Sequence, residues 1–329
     1  MAIGDSNNII IRPEFFNAGL RETLDQNVEV FNANSGGALE LITEQSTSDF
    51  QKTRFVDRFE NLSKRRDDTS LADKNPQELT QSDDIDVRVK RGTEPIAQTI
   101  DSLRDADLSR EEMSVLIGNQ AGEDVAKDYT DTALLCLVAA LSNQSDVYVD
   151  KSSSASNTLN HTRMNDALAA FGDRRQAINV MIMHSKAFND LVGNNISSSG
   201  DQTEFATIYQ ESPGSFQRIV VVTDSESLVN TDGVTTGTDS YNTVLLQEMA
   251  FEVQETRTLR MYEELKTGKE NVYVEMQGEH DFTLSMKGFS WDETNGGRNP
   301  TDSALGTGSN WDPVVDNYKD FPGVVLEHA

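Results

Sequence analysis

The chain has almost no cysteine: Cys136 is the only one in 329 residues. An internal disulfide is therefore impossible. The thiol sits in the apolar run ALLCLVAAL (133 to 141), where apolar surroundings disfavour the thiolate, so it reads as a core residue and not as a nucleophile. Long hydrophobic runs are missing too. None approaches the ~18 residues that a membrane-spanning helix needs. The opening MAIGDSNNIIIRPEFF lacks the basic stretch and apolar segment of a secretory signal. The expectation is a protein made in a cytosol, with no membrane anchor. Positive charge is scarce as well: 28 Lys and Arg face 55 Asp and Glu, for a net charge of −27. A surface that grips phosphate needs an excess of cations, so sequence-specific embrace of nucleic acid is not expected. The acidity suits a soluble protein that repels polyanions, or one in high salt.

Catalytic patterns are absent in the same way. The four histidines, His161, His184, His280 and His328, show no i, i+4 metal pair and no cysteine cluster supports them. His184 precedes Ser185, but neighbours on an extended chain point opposite ways, which separates a serine from the base it would need. Gly306-x-Gly308 lacks the third glycine of a dinucleotide fingerprint and the lysine of a phosphate loop. Acidic turns such as Asp232-Gly233 lack the 12-residue calcium pattern. No catalytic residue, metal or cofactor is expected, and the chain does not read as an enzyme.

What is present is a set of elements that need partners. Residues 13 to 31 form an amphipathic helix, with Pro13 in its first turn and Phe16, Leu20, Leu24 and Val28 on one face. That face must lie on another part of the chain or on a neighbour. Residues 109 to 142 read as the longest helix, with Ser109 and Glu112 at capping-box spacing and Met113, Leu116, Ile117, Val125, Tyr129, Ala133, Leu137 and Leu141 at helical spacing. Such a helix spans roughly 50 Å, more than a compact domain requires. Gly118 and Gly122 are candidate points of bending. Residues 158 to 250 read as α/β: a helix stopped at Gly172, a strand INVMIMH, a helix SKAFNDLVG capped by Ser185, and two further buried strands in RIVVVTD and YNTVLLQEMAFEVQE. Residues 256 to 291 alternate as antiparallel strands with one buried face.

Charge is unevenly placed. Between Lys52 and Arg91 ten Lys/Arg meet nine Asp/Glu, so this window is +1 and the other 289 residues carry −28. Its basic core, KTRFVDRFENLSKRR (52 to 66), supplies Lys52, Arg54, Arg58, Lys64, Arg65 and Arg66. A basic β-hairpin reaching for an acidic partner is the functional reading; a solvated charged loop is the plain one. If the partner is a second copy, unlike patches would steer association and set its register.

The segment FSWDETNGGRNPTDSALGTGSNWD (289 to 312) has turn composition in 17 of its 24 residues, yet carries both tryptophans, Trp291 and Trp311, near its ends. Indoles gain most when buried. Either they anchor this segment on the body of the protein, or they are ordinary core residues.

INVMIMHSKAFNDL (178 to 191), GEHDFTLSMKGFSW (278 to 291) and NPTDSAL, NWD, KD and GVVL within 299 to 326 resemble the major capsid proteins of tailed double-stranded DNA bacteriophages, chiefly over the C-terminal half. The resemblance implies the α+β Hong Kong-97-type fold. Residues 1–36 would be an N-terminal arm and 37–97 an extended β-hairpin loop lying over the adjacent subunit. Residues 98–157 and 256–329 would be a peripheral domain with a long spine helix, and 158–255 an axial domain. GVVLEHA would be a last edge strand. The implied work is self-assembly through pentamers and hexamers into an icosahedral shell around DNA, in the virion. The implied partners are other copies, a separate scaffolding protein, a portal and a decoration protein. In this reading the six basic residues contact the next subunit, and Trp291 and Trp311 anchor the returning tail. A tail-tube protein, a cellular encapsulating shell and an α/β enzyme are the alternatives to be distinguished.

Overall fold

The computed structural model describes residues 13–34, 36–43, 48–56, 81–99, 110–153, 158–199, 218–230, 239–315 and 317–329, with six isolated positions between 63 and 78. Helix α1 (Pro13–Asn34) lies along α2 (Arg110–Ser142), and Phe16 and Leu20 are fully buried in the contact. The side chains of Leu24 and Val28 lie outside the described residues, as does the capping serine Ser109. Glycine makes the two helices fit. A Cβ on Gly118 would come within 2.4 Å of the Phe16 carbonyl oxygen, and one on Gly122 within 3.1 Å of that of Leu20. Helix α2 runs unbroken through both positions. Gly118 and Gly122 thus admit a neighbouring backbone and do not interrupt the helix, contrary to the expectation of a bend. Further along α2, Val125, Tyr129, Ala133, Leu137 and Leu141 are buried, whereas Leu116 is exposed.

Two sheets flank this helix. The first is built on a long hairpin of β10 (Phe251–Lys266) and β11 (Tyr273–Met286). Strand β1 (Leu39–Thr43) joins the outer side of β10 in parallel, over Phe251–Glu255 only. On the other side β11 pairs with β3 (Gln81–Gly92) and β4 (Ile96–Thr99), and β2 (Phe50–Val56) pairs with β3. Two short strands complete the sheet: β12 (Phe289–Trp291), reached by a tight turn from β11, and β13 (Trp311–Pro313). Period-two alternation in DIDVRVKR does its work here: Val87 and Val89 face the core while Arg88 and Lys90 take the opposite face.

The second sheet runs β5–β14–β9–β6–β7, with β8 (Val229–Asn230) also on β9. Here β5 is Tyr148–Asp150, β6 Ile178–Met183, β7 Ile219–Val222, β9 Ser240–Gln247 and β14 Gly323–His328. Helix α3 (His161–Ala170) packs on β14. It begins at Asn160, whose side chain accepts from the Arg163 N–H, and ends at Phe171 before Gly172 at φ +54. Helix α4 (Ser185–Ser199) continues past Gly193.

Four local expectations are corrected. The start of α4 is capped by the His184 Nδ1, which accepts from the Lys186 N–H at 3.2 Å, and not by Ser185. RIVVVTD yields a strand at the edge of the second sheet among the described residues, with Ile219, Val220 and Val222 over 40% exposed, because apolar composition alone does not separate a covered strand from an open one. YNTVLLQEMAFEVQE is two strands of different sheets, β9 and β10, parted at Met249 (φ 53). The turn is secured where the Met249 and Ala250 N–H groups donate to the Gly37 and Ala38 carbonyls at 2.7 and 2.9 Å. Finally, GVVLEH is no edge: β14 lies between β5 and β9, and Val324, Val325 and Leu326 are fully buried.

Candidate functional site

The basic residues of the hairpin divide into three groups. Lys52 and Arg54 sit on the same face of β2, opposite Ile85 and Asp83. Lys52 pairs with Glu293, and the Arg54 Nε donates to Asp83 Oδ1 at 2.7 Å, yet both cations remain mostly exposed. The hydrogen bond from Arg54 holds the Asp83 carboxyl below its ordinary pKa. Arg65 is exposed. Arg58, Lys64 and Arg66 lie outside the described residues.

Of the remaining basic residues of the window, Lys74 lies outside the described residues, and Arg88, Lys90 and Arg91 are committed within the chain, which the charge count could not reveal. Arg88 donates to Asp281 Oδ2 at 2.6 Å, and both side chains are more than 90% buried. Lys90 pairs with Asp49 at 3.0 Å. Arg91 takes Asp302 in a two-pronged contact at 2.5 and 3.1 Å and also reaches the Thr132 hydroxyl on α2. These ties fix the root of the hairpin to β11, to α2 and to the segment after β12. Further along the same β3 face as Arg88, Asp84 and Asp86 lie side by side. Burial first, and then the neighbouring Asp86 charge, push the Asp84 carboxyl up to about 6; burial raises Asp86 as well.

The tryptophans meet. Trp291 and Trp311 are opposed across the β12–β13 ladder, both are 1% exposed, and their rings pack edge to face with centroids 4.9 Å apart, a geometry favoured by the ring quadrupoles. Each indole N–H is satisfied: Trp291 donates to the Gly297 carbonyl and Trp311 to the Leu305 carbonyl, both at 3.0 Å. Gly296 is required beside Trp291, since a Cβ there would approach the indole to 2.1 Å. The turn-rich link between them is held throughout. Asp292 Oδ1 accepts from the Thr294 and Asn295 N–H groups, Asn299 Oδ1 accepts from the Lys90 N–H, and Thr301 caps the helical turn α5 (Asp302–Leu305). The link therefore bridges the hairpin root to α2, against which Gly308 packs so closely that a Cβ would lie 2.3 Å from the Ala139 oxygen.

The four histidines lie on separate elements. His184 is 3.7 Å from Asp224. His280 is buried against Tyr129 and Phe282. His328 contacts the Thr243 hydroxyl at 3.0 Å, and burial lowers its pKa to about 4. Among the described residues no three His, Cys, Asp or Glu side chains converge on a metal position. Cys136 is fully buried, and burial pushes its thiol pKa well up. No helix among the described residues is long and apolar enough to cross a membrane.

Comparison with known proteins bears on this geometry. Residues 8–325 match the family model described as Major capsid protein 13-like. The fold is similar to that of a chain in the cyanophage Pam1 capsid asymmetric unit (TM-score 0.55, 10% identity, 88% of each chain covered). It is also similar to a chain of Mycobacterium phage Bobi (0.52, 13%, 87% of each) and to one in the capsid of Ralstonia phage GP4 (0.51, 9%, 89% of this chain and 87% of that one). No curated protein sequence matches. At these identities the structural likeness carries the fold, and the α+β capsid fold of Hong Kong-97 type is the architecture described above.

Proposed function

The chain belongs to the Major capsid protein 13-like family, and from that premise we propose that it acts by binding copies of itself, through pentamers and hexamers, into an icosahedral shell around phage double-stranded DNA. It is a capsid shell protein; the capsomer types and the enclosed genome are the finer parts of the proposal. The carrying observation is the family match over residues 8–325. The net charge of −27 supports the enclosed-genome part, because an acidic surface neither grips DNA nor hinders its release.

We assign residues 1–36 to an N-terminal arm, 37–97 to the extended hairpin, 98–157 and 256–329 to a peripheral domain around α2, and 158–255 to an axial domain. The 255/256 boundary falls inside β10, and β5 and β14 would be peripheral segments reaching into the second sheet. Lys52, Arg54, Arg58, Lys64, Arg65 and Arg66 would meet acidic surface on the next subunit; the exposure of Lys52, Arg54 and Arg65 supports this. Trp291 and Trp311 would anchor the link that braces the hairpin root. No catalysis is assigned. Many weak contacts repeated by symmetry would sum to a stable shell, with a separate scaffolding protein, a portal and a decoration protein as further partners.

Electron microscopy of the purified protein, with mass by light scattering, tests the reading. Closed shells or rings of five and six support it. Tubes would point to a tail protein. A species that stays small after scaffold and portal are supplied would overturn it.

A further inference from the structure

The outer edge of β10 changes character along its length. Over Phe251–Glu255 it is covered by β1. From Arg257 to Lys266, among the described residues, nothing pairs with it. A strand edge of this kind presents alternate N–H and C=O groups with no partner, and proteins usually blunt it with proline, a bulge or a cover. Here the two register shifts fall before Arg260, so Arg260–Lys266 is a regular strand, and it contains no proline. Exposed apolar side chains accompany the open edge: Tyr262 is 63% exposed and Leu265 44%.

The sequence of this edge is complementary to itself. In an antiparallel pairing of two copies centred on Tyr262, Arg260 of each strand lies opposite Glu264 of the other, on the same face as Tyr262. Arg260 is exposed and makes no ion pair among the described residues. Glu264 is 70% exposed and holds only Lys266 of its own strand, at 2.6 Å. Moving the centre by one residue along each strand, to Glu263, would oppose Arg260 to Lys266, a repulsive pair. Parallel pairing in register would set arginine beside arginine. Of these pairings, the one centred on Tyr262 alone sets opposite charges across the two strands.

We infer that β10 is an interface strand: Arg260–Glu264 pairs antiparallel with the same strand of a second copy about a twofold axis through Tyr262, joining two first sheets into one. The inference rests on the shell reading above and adds to it a contact distinct from the basic hairpin. A short strand pair buries little and is weak alone, so it would act as one of many repeated contacts in an assembly.

The test uses the twofold axis. In this register the two Tyr262 Cα atoms lie about 5 Å apart, within disulfide range. Tyr262→Cys in assembled particles, oxidised by dissolved oxygen with a copper catalyst, should give disulfide-linked dimers on a non-reducing gel; the native Cys136 is buried and does not compete. Leu265→Cys, exposed on the same strand, places its two copies roughly 20 Å apart and should give none. Glu264→Arg should lower the Tyr262→Cys dimer yield several-fold, and adding Arg260→Glu should restore it. Shells that form normally with no Tyr262→Cys dimer, or with equal cross-linking at both cysteines, would overturn the strand pairing and leave the shell reading intact; the edge would then be covered by another part of the chain or by another protein. Wild-type protein that never forms shells, with scaffold and portal supplied, would overturn the shell reading itself.

Discussion

Replacing Trp311 by alanine should remove the keystone of the β12–β13 corner. The side chain is 1% exposed, so truncation forfeits its transfer energy and leaves a cavity against Trp291. Large-to-small changes of this kind cost about 3–5 kcal/mol. The Leu305 carbonyl, which accepts from the indole N–H at 3.0 Å in a buried contact, would lose its partner at a further cost of about 1 kcal/mol. A total near 5 kcal/mol, set against an unfolding entropy of about 0.7 kcal/mol/K for a chain of this length, lowers the melting midpoint by about 7 °C. Differential scanning calorimetry of the unassembled subunit measures this. Trp311→Phe, which keeps a ring but no donor, should lose about 1–2 kcal/mol. A double-mutant cycle with Trp291→Ala should show coupling of about 1 kcal/mol, as expected for residues in contact. If Trp311→Ala melts within about 1 °C of wild type, the paired indoles do not brace this corner and the anchoring argument fails.

Charge reversal at Arg65 and Arg66 should impair assembly while the subunit's melting curve and circular dichroism stay unchanged; normal particles by electron microscopy would remove the hairpin from the interface. Arg88→Met strands the buried Asp281 carboxylate, with Arg257 at 3.5 Å as its remaining cation, and should cost about 3 kcal/mol in urea unfolding, much of it recovered by adding Asp281→Leu. Asp84 has a folded pKa of about 6, above its unfolded value, so the folded state holds its proton more tightly and its contribution to stability falls as pH rises from about 4 through 6. Asp84→Asn should therefore gain on wild type in thermal midpoint over that interval, and a difference that does not vary with pH would refute the assignment. His328 shifts the other way, to about 4: the unfolded chain binds its proton more readily, so stability declines as pH falls from about 6.5 through 4, and His328→Phe should flatten that acid limb in the same scans.

Period and composition exposed much of this architecture and concealed its connections. The alternation of DIDVRVKR and the four-residue spacing of Phe16 and Leu20 report a face to be buried, and both faces are buried. What covers them is set by residues far away in the chain. Glycine was misleading in α2 because helix propensity counts it as a breaker, whereas at Gly118 the absent Cβ lets α1 approach. The β9–β10 boundary was hidden because Glu248, Met249 and Ala250 carry no turn signature; the left-handed Met249 is held by backbone hydrogen bonds that it and Ala250 donate to carbonyls about two hundred residues earlier. Charge counting found the basic window but could not sort it. Arg88 and Arg91 are neutralised by Asp281 and Asp302, and only the distant partner distinguishes them from Arg65. The placement of Trp291 and Trp311 at the two ends of a turn-rich link pointed to burial of each, and both are buried; that they meet depends on the path of the link between them, which composition does not show.

The ties at the hairpin root have a consequence for synthesis. Ile85 donates to the Ser290 hydroxyl, Arg88 to Asp281, and Arg91 to Asp302, across 205, 193 and 211 residues of sequence. At about 5–20 residues per second, a ribosome delivers the second member of each tie roughly 10–40 s after the first. The second sheet waits longer still, because its interior strand β14 ends at His328. A nascent or prematurely terminated chain therefore carries β2 and β3 with their root unfastened and β5 and β9 without the strand between them. Quality control is built into chain order: the elements that secure the hairpin are made long after it, so only a chain extended past Asp302 can present it in a fixed position.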